Sequence, residues 1–144
     1  MFPQLIEAKR ISFNHGFDKW EDAIAASCAP LLAQGVVEQS YVDQIIKNVD
    51  ELGAYIVIAP DICIPHAQEG AGVHETALCF MKTELPVKFS DDPDQNARLF
   101  FTFSSVNNDD HMRNLSEVVE LLSDEENMRI LLAAKSVDDL RGLP

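Results

Sequence analysis

His66 and His111 are the two residues of this chain best placed for chemistry. Each follows an apolar run, and each comes where the chain must change direction. The first closes Y-I-V-I-A-P-D-I-C-I-P-H, residues 55–66, a stretch that is apolar and β-branched until Pro65 stops it. Proline has no N–H to continue a ladder, so it ends a strand and stiffens the approach to the histidine. A neutral imidazole keeps one ring nitrogen with a lone pair, and histidine serves as a covalent nucleophile. A histidine that caps a strand by hydrogen-bonding a carbonyl fits the same local pattern. His111 falls in the first turn of a helix if Asn108 or Asp109 is the N-cap. Free N–H groups and the positive dipole end there favour an anion such as a phosphoryl group, with the imidazole as its electrostatic partner. Spacing alone equally allows an exposed histidine with no task, because cations prefer the other helix end. The pair points to the handling of a proton or a phosphoryl group.

Other chemistries find little support. His15, in an Asn-His-Gly turn, and His74, at the start of an extended run, are expected at the surface. A zinc site from Cys63, His66 and His74 would have to bridge a proline in an extended run, and no paired C-x-x-C is present. A metal-dependent hydrolase built on Asp61, His66 and His74 is the corresponding enzyme reading. No G-x-S-x-G, Gly-rich phosphate cradle or H-E-x-x-H occurs, so neither cofactor nor metal is expected.

The elements that would hold the two histidines can be read from periodicity. Residues 8–13 suit a short strand before the turn at Asn14-His15-Gly16. Asp18 is a candidate N-cap for a helix whose apolar residues recur at three- and four-residue steps until Gly35. A second amphipathic helix over 38–52 places Tyr41, Val42, Ile45, Ile46 and Val49 on one face and stops at Gly53. Strands are predicted at 55–58, 62–64, 75–81 and 97–106, with an exposed turn at Asp91-Asp92-Pro93-Asp94. On the last strand Leu99, Phe101 and Phe103 point one way, and Phe100, Thr102 and Val106 the other. A strand apolar on both faces is covered on both faces, which requires a three-layer α/β/α sandwich. The final third reads as helices: one bearing Met112, Leu115, Val118, Val119 and Leu122, one opened by a Ser123/Glu126 capping box, and a short one from Ser136 to about Gly142.

Bulk properties limit the partners. With 144 residues and no linker or repeat, residues 1–144 are expected to form a single domain. Eleven basic and 24 acidic residues give a net charge of −13, which argues against nucleic acid and anionic membrane. The same charge favours a basic protein face. Cys28, Cys63 and Cys79 cannot all pair, and each lies in an apolar segment, as for buried thiols in a reducing cytoplasm. No apolar run approaches a membrane span, so no direct membrane insertion is expected.

The motif Y-I-V-I-A-P-D-I-C-I-P-H-A resembles the phosphorylation motif of the enzyme IIA domains of the bacterial phosphoenolpyruvate-dependent sugar phosphotransferase system, mannitol/fructose type. Trp20-Glu21-Asp22-Ala23-Ile24, Tyr41, Leu85-Pro86-Val87-Lys88-Phe89, Asn107-Asn108-Asp109-Asp110-His111 and Leu121-Leu122 follow in the family's order, so the likeness covers nearly the whole chain. It implies a mixed β-sheet flanked by helices. It implies that His66 accepts a phosphoryl group from the phosphocarrier protein HPr and passes it to a cysteine of enzyme IIB, with His111 stabilising the group. A membrane enzyme IIC would then handle the sugar. Mannitol-type domains carry an arginine where this chain reads Lys47-Asn48-Val49-Asp50-Glu51, which leaves Arg113 or Lys47 as candidate substitutes. Asp61 replaces a common glycine and Ala67 a mannitol-branch glycine, and the segment looks more like the ascorbate or pentitol branch. The alternative within this fold is a regulatory phosphoacceptor that signals to a protein target without onward transfer. A surface exposed for docking would also serve a homodimer.

Overall fold

A computed structural model describes residues 1–68 and 72–144. In chain order its elements are α1 (Phe2–Glu7), β1 (Ile11–Asn14), α2 (Trp20–Ala33), α3 (Gln39–Leu52), β2 (Val57–Ala59), β3 (Asp61–Cys63), β4 (Ala77–Lys88), β5 (Asn96–Ser104), α4 (Asn108–Leu122) and α5 (Glu125–Ala133). Short 3-10 turns lie at Pro93–Gln95 and Val137–Leu140. The five strands form one sheet in the order β1-β4-β5-β3-β2. β4 runs antiparallel to β5, and β2 to β3, while β1 with β4 and β3 with β5 are parallel. The sheet is therefore mixed.

Both faces of that sheet are covered. On one, Phe100, Cys79 and Met81 pack against Ile24, Cys28 and Leu31 of α2 and Tyr41, Val42 and Ile45 of α3. On the other, Leu99, Phe101 and Phe103 pack with Phe2 of α1, Val118 and Leu121 of α4, and Leu131 of α5. The three-layer arrangement read from β5 is present, because apolar side chains alternating across one strand demand helices on both sides. The three cysteines are buried and unpaired. Burial pushes the Cys28 thiol up to about 12, which makes it unreactive at neutral pH.

Several boundaries differ from expectation, each for a local reason. The helix α1 has no counterpart in the predicted elements; its six residues are too few to establish a period. It displaces the first strand from 8–13 to Ile11–Asn14. Lys19, not Asp18, is the N-cap of α2, and it makes no side-chain capping bond. Gly35 and Gly53 do end their helices, at φ of +74° and +84°. The strand predicted to end at Met81 runs on to Lys88. Val106 lies beyond the end of β5 and is half exposed, so it belongs to neither core. The 123/126 capping box is replaced by Asp124, whose carboxylate accepts from the Glu126 and Asn127 amides. Ser136 does open the last turn, with Asp139 completing a capping box. Asp61 adopts φ +71°, in the left-handed region where aspartate is better tolerated than most residues.

Candidate active site

The parallel pairing of β3 with β5 delivers His66 to its place. The Ile64 amide donates to the Ile56 carbonyl at 2.7 Å, and the Phe103 amide donates to the Pro65 carbonyl at 3.2 Å. Pro65 thus ends the strand on its donor side while its carbonyl still holds the ladder. The His66 ring then lies nearly flat on Phe103, with centroids 5.2 Å apart and planes 14° from parallel. Tyr55 meets it edge-on at 5.5 Å. His111, from the first turn of α4, lies 5.3 Å away between centroids.

One hydrogen bond decides the chemistry of the His66 ring. Nδ1 lies 2.6 Å from the Ile64 carbonyl oxygen. A carbonyl can only accept, so Nδ1 carries the proton and the lone pair of the neutral ring is on Nε2. Burial holds the His66 pKa below its ordinary value, assisted by the nearby charge of His111 and opposed by the Ile64 bond. The ring is accordingly neutral at pH 7 and nucleophilic at Nε2. The alternative of a carbonyl-capping histidine is also true of this residue, but it uses only one nitrogen.

The surrounding side chains fix the loop that carries the ring. The Tyr55 hydroxyl donates to the His66 carbonyl at 2.7 Å. Burial raises the Tyr55 phenol against an opposing hydrogen bond from Asn48, so the hydroxyl keeps its proton and stays a donor. Gln44 in turn donates to the Asn48 Oδ1 at 2.7 Å. On the inner side, the buried Tyr41 hydroxyl donates to the Phe103 carbonyl at 2.7 Å and accepts from the Ala67 amide at 3.2 Å. Tyr41 therefore clamps the residue after His66 to the end of β5. None of these roles was read from the sequence, where Tyr41 counted as part of an apolar helix face and of the family likeness, with no task for its hydroxyl. A signal existed: a buried tyrosine needs a partner for its hydroxyl.

The helix α4 presents His111. Asn107 is its N-cap, one residue before the predicted Asn108 and two before Asp109, and its Oδ1 accepts from the Asp110 amide at 2.8 Å. The His111 amide donates to the Asn107 carbonyl at 3.1 Å, so among the described residues the N–H groups of Asn108 and Asp109 are the unfilled donors of the first turn. Thr76 donates to Asp110 at 2.6 Å and accepts from the Val106 amide at 3.1 Å, which braces the helix start against the sheet.

His66 and His111 share a cleft of about 790 Å³ with Tyr41, Gln44, Asn48 and Asn108 on its walls. Among the described residues lining it there is no lysine or arginine. Lys47 lies in another groove, beside Trp20 and Asp50, and Arg113 pairs with Asp110 at 3.2 Å with its side chain largely exposed. His15 is bound to Glu84 at 2.8 Å and His74 lies 3.8 Å from Glu38, so neither joins the pair. Among the described residues no three His, Cys, Asp or Glu side chains converge to hold a metal ion. No helix among them is long and apolar enough to cross a membrane.

The family model for the phosphoenolpyruvate-dependent sugar phosphotransferase system, EIIA 2, matches residues 4–143. Among curated relatives, the ascorbate-specific PTS system EIIA component of Escherichia coli strain K12 is 29% identical over 140 residues, covering 96% of this chain and 91% of that protein. The solved structure of the mannitol-specific cryptic phosphotransferase enzyme IIA CmtB from Escherichia coli superposes with a TM-score of 0.84 at 28% identity, covering 92% of this chain and 90% of that one. A complex of enzyme IIAMTL and phosphorylated enzyme IIBMTL from Escherichia coli shares the fold at TM-score 0.80 and 24% identity, covering 92% of each chain.

Proposed function

The chain belongs to the EIIA 2 family of the phosphoenolpyruvate-dependent sugar phosphotransferase system, and we propose that residues 1–144 act within it as one phosphoryl-relay domain. His66 accepts the phosphoryl group from phospho-HPr at Nε2 and hands it to a cysteine of a cognate enzyme IIB. The Nε2 lone pair forms a bond to phosphorus while the bond from phosphorus to the donor breaks, its electron pair leaving with the donor. His111 and the first-turn amides of α4 offset the charge on the transferred group. The reverse sequence delivers it to the IIB thiolate. A membrane IIC carries the sugar, and the relay works in the cytoplasm.

The observation that carries this reading is the Nδ1 bond of His66 to the Ile64 carbonyl, 2.6 Å long, beside His111 in the cleft. It fixes the tautomer and directs the reactive lone pair away from the backbone. Similarity to the ascorbate-specific component supports uptake of ascorbate or a pentitol-like sugar.

Phosphoenolpyruvate, enzyme I and HPr should label the chain on an acid-labile phosphohistidine. Label is expected to vanish in His66→Ala and persist in His74→Ala; an unchanged label in His66→Ala rejects the assignment. Passage of that label to a cognate IIB separates a transport relay from a regulatory phosphoacceptor, which would retain it. His111→Ala should still accept phosphate but transfer it about 10²–10³-fold more slowly, as for loss of one preorganised charge-stabilising group.

A further inference from the structure

A second cleft, of about 670 Å³, opens at the far end of the sheet from His66. It contains Lys82, Arg98 and Lys135, three of the eleven basic residues in a chain of net charge −13. Arg98 lies roughly 17 Å along β5 from Phe103, on which His66 stacks.

The backbone around Arg98 departs from regular pairing on both sides. Neighbouring residues Asp61 and Ile62 pair with Ala97 and Leu99, so Arg98 is an extra residue against β3. On the other side, Leu99 pairs with Lys82 and Ala97 with Val87, leaving residues 83–86 outside that ladder. Bulges of this kind re-aim a side chain and occur often beside functional sites. Here the bulge brings a guanidinium next to a lysine that is only 5% exposed.

The donors of these cations are only partly used. Lys82 Nζ donates to the Leu132 and Ala134 carbonyls at the end of α5, which leaves its third N–H. Arg98 reaches the Leu132 carbonyl at 3.5 Å, while its buried Nε has no partner among the described residues. Like charges crowd one another: Arg98 and Lys135 both add to the burial that lowers the Lys82 pKa. Two acids oppose that crowding: Glu84, which lines the same cleft and is bonded there to His15, and Asp139, which accepts from the Lys135 and Ser136 amides. Capping the end of α5 explains Lys82, but not the vacant donor on Arg98.

We propose that this cleft binds a small oxyanion of the phosphate or phosphate-monoester class, held by Arg98, the remaining Lys82 N–H and Lys135. The site is separate from the histidine pair and does not depend on the relay function.

Nitrogen-15 NMR of the full chain tests it, with inorganic phosphate and glucose 6-phosphate titrated separately against chloride at matched ionic strength. Saturable shifts of the Arg98 Nε–H at roughly millimolar ligand are expected, and the tighter of the two anions tells free phosphate from a phosphate ester. Arg98→Gln and Lys135→Gln should each weaken binding by about tenfold or more, one lost charge-assisted contact being worth roughly that factor. Should Arg98→Gln fail to fold, Lys135→Gln carries the comparison, since that residue is exposed. Shifts confined to the His66 and His111 rings, or the absence of saturation at Arg98, would overturn the proposal.

Discussion

The fate of a single proton sets the behaviour of His66. Its pKa lies below the ordinary 6.5, chiefly through burial, so the acid limb of phosphoryl acceptance should have its midpoint below pH 6.5. Single-turnover labelling against pH measures this, and a midpoint above 6.5 would contradict it. Stability follows the same linkage. Between the folded and unfolded pKa values the unfolded chain binds more protons, so stability falls as pH drops through that window. His66→Gln should lose less stability on acidification than the parent. Tyr55→Phe removes the donor to the His66 carbonyl, a bond worth about 0.5–1.5 kcal/mol, and should slow transfer by about two- to tenfold with the fold intact. At this scale the sequence was most legible where a residue type has few uses. His66 after Pro65 and His111 at a helix start both stand out in the sequence, and the structure brings their rings to 5.3 Å. The Gln44–Asn48–Tyr55 chain was not found, because amides and phenols on a helix and a loop have too many ordinary roles to single out without coordinates.

Helix α4 is the element on which the second histidine depends. Its cap is Asn107, and Asn107→Ala should cost about 0.5–2 kcal/mol of stability by denaturant titration while also slowing transfer, because the turn it caps carries His111. A stability loss with no kinetic effect would show that the helix start does not position the ring. Four capping residues stand in a row at 107–110, and composition cannot choose among them; only the chain's exit from β5 does. β4 illustrates the opposite failure. Lys82, Glu84, Pro86 and Lys88 interrupt any apolar pattern, so the run looked finished at Met81. Pro86 is accommodated because the pairing with β5 is broken between Lys82 and Val87, where a missing N–H forfeits no ladder bond there. Length was therefore hidden by a bulge, whereas the two-faced pattern of β5, buried on both sides, was plain.

Across the whole molecule, two apolar layers press on one mixed sheet. Phe101 sits fully buried in the layer beneath α1 and α4, with its ring 4.9 Å from Phe80 and 6.3 Å from Phe2. Phe101→Ala should cost about 3–5 kcal/mol, visible as a lower denaturation midpoint at unchanged slope. The Phe2 amide also donates to the Pro144 carbonyl at 3.0 Å, which ties the first helix to the last residue. That closure could not be read from local periodicity, since it joins segments more than a hundred positions apart. The net charge of −13 is legible directly, and it should speed encounter with a basic phosphoryl donor. Raising ionic strength should slow phosphorylation by HPr through its association step, with little effect once the complex has formed. Stopped-flow rates at several salt concentrations measure the slope, and a salt-independent rate would contradict electrostatic steering.

The position of phosphorus on the imidazole is the sharpest discriminant. The Ile64 carbonyl occupies the Nδ1 proton, so the phosphorylated chain should show phosphorus coupled to the ring through Nε2 of His66 in a phosphorus–proton correlation spectrum. Phosphorus found on Nδ1, or on any residue other than His66, would contradict the tautomer and the relay built on it.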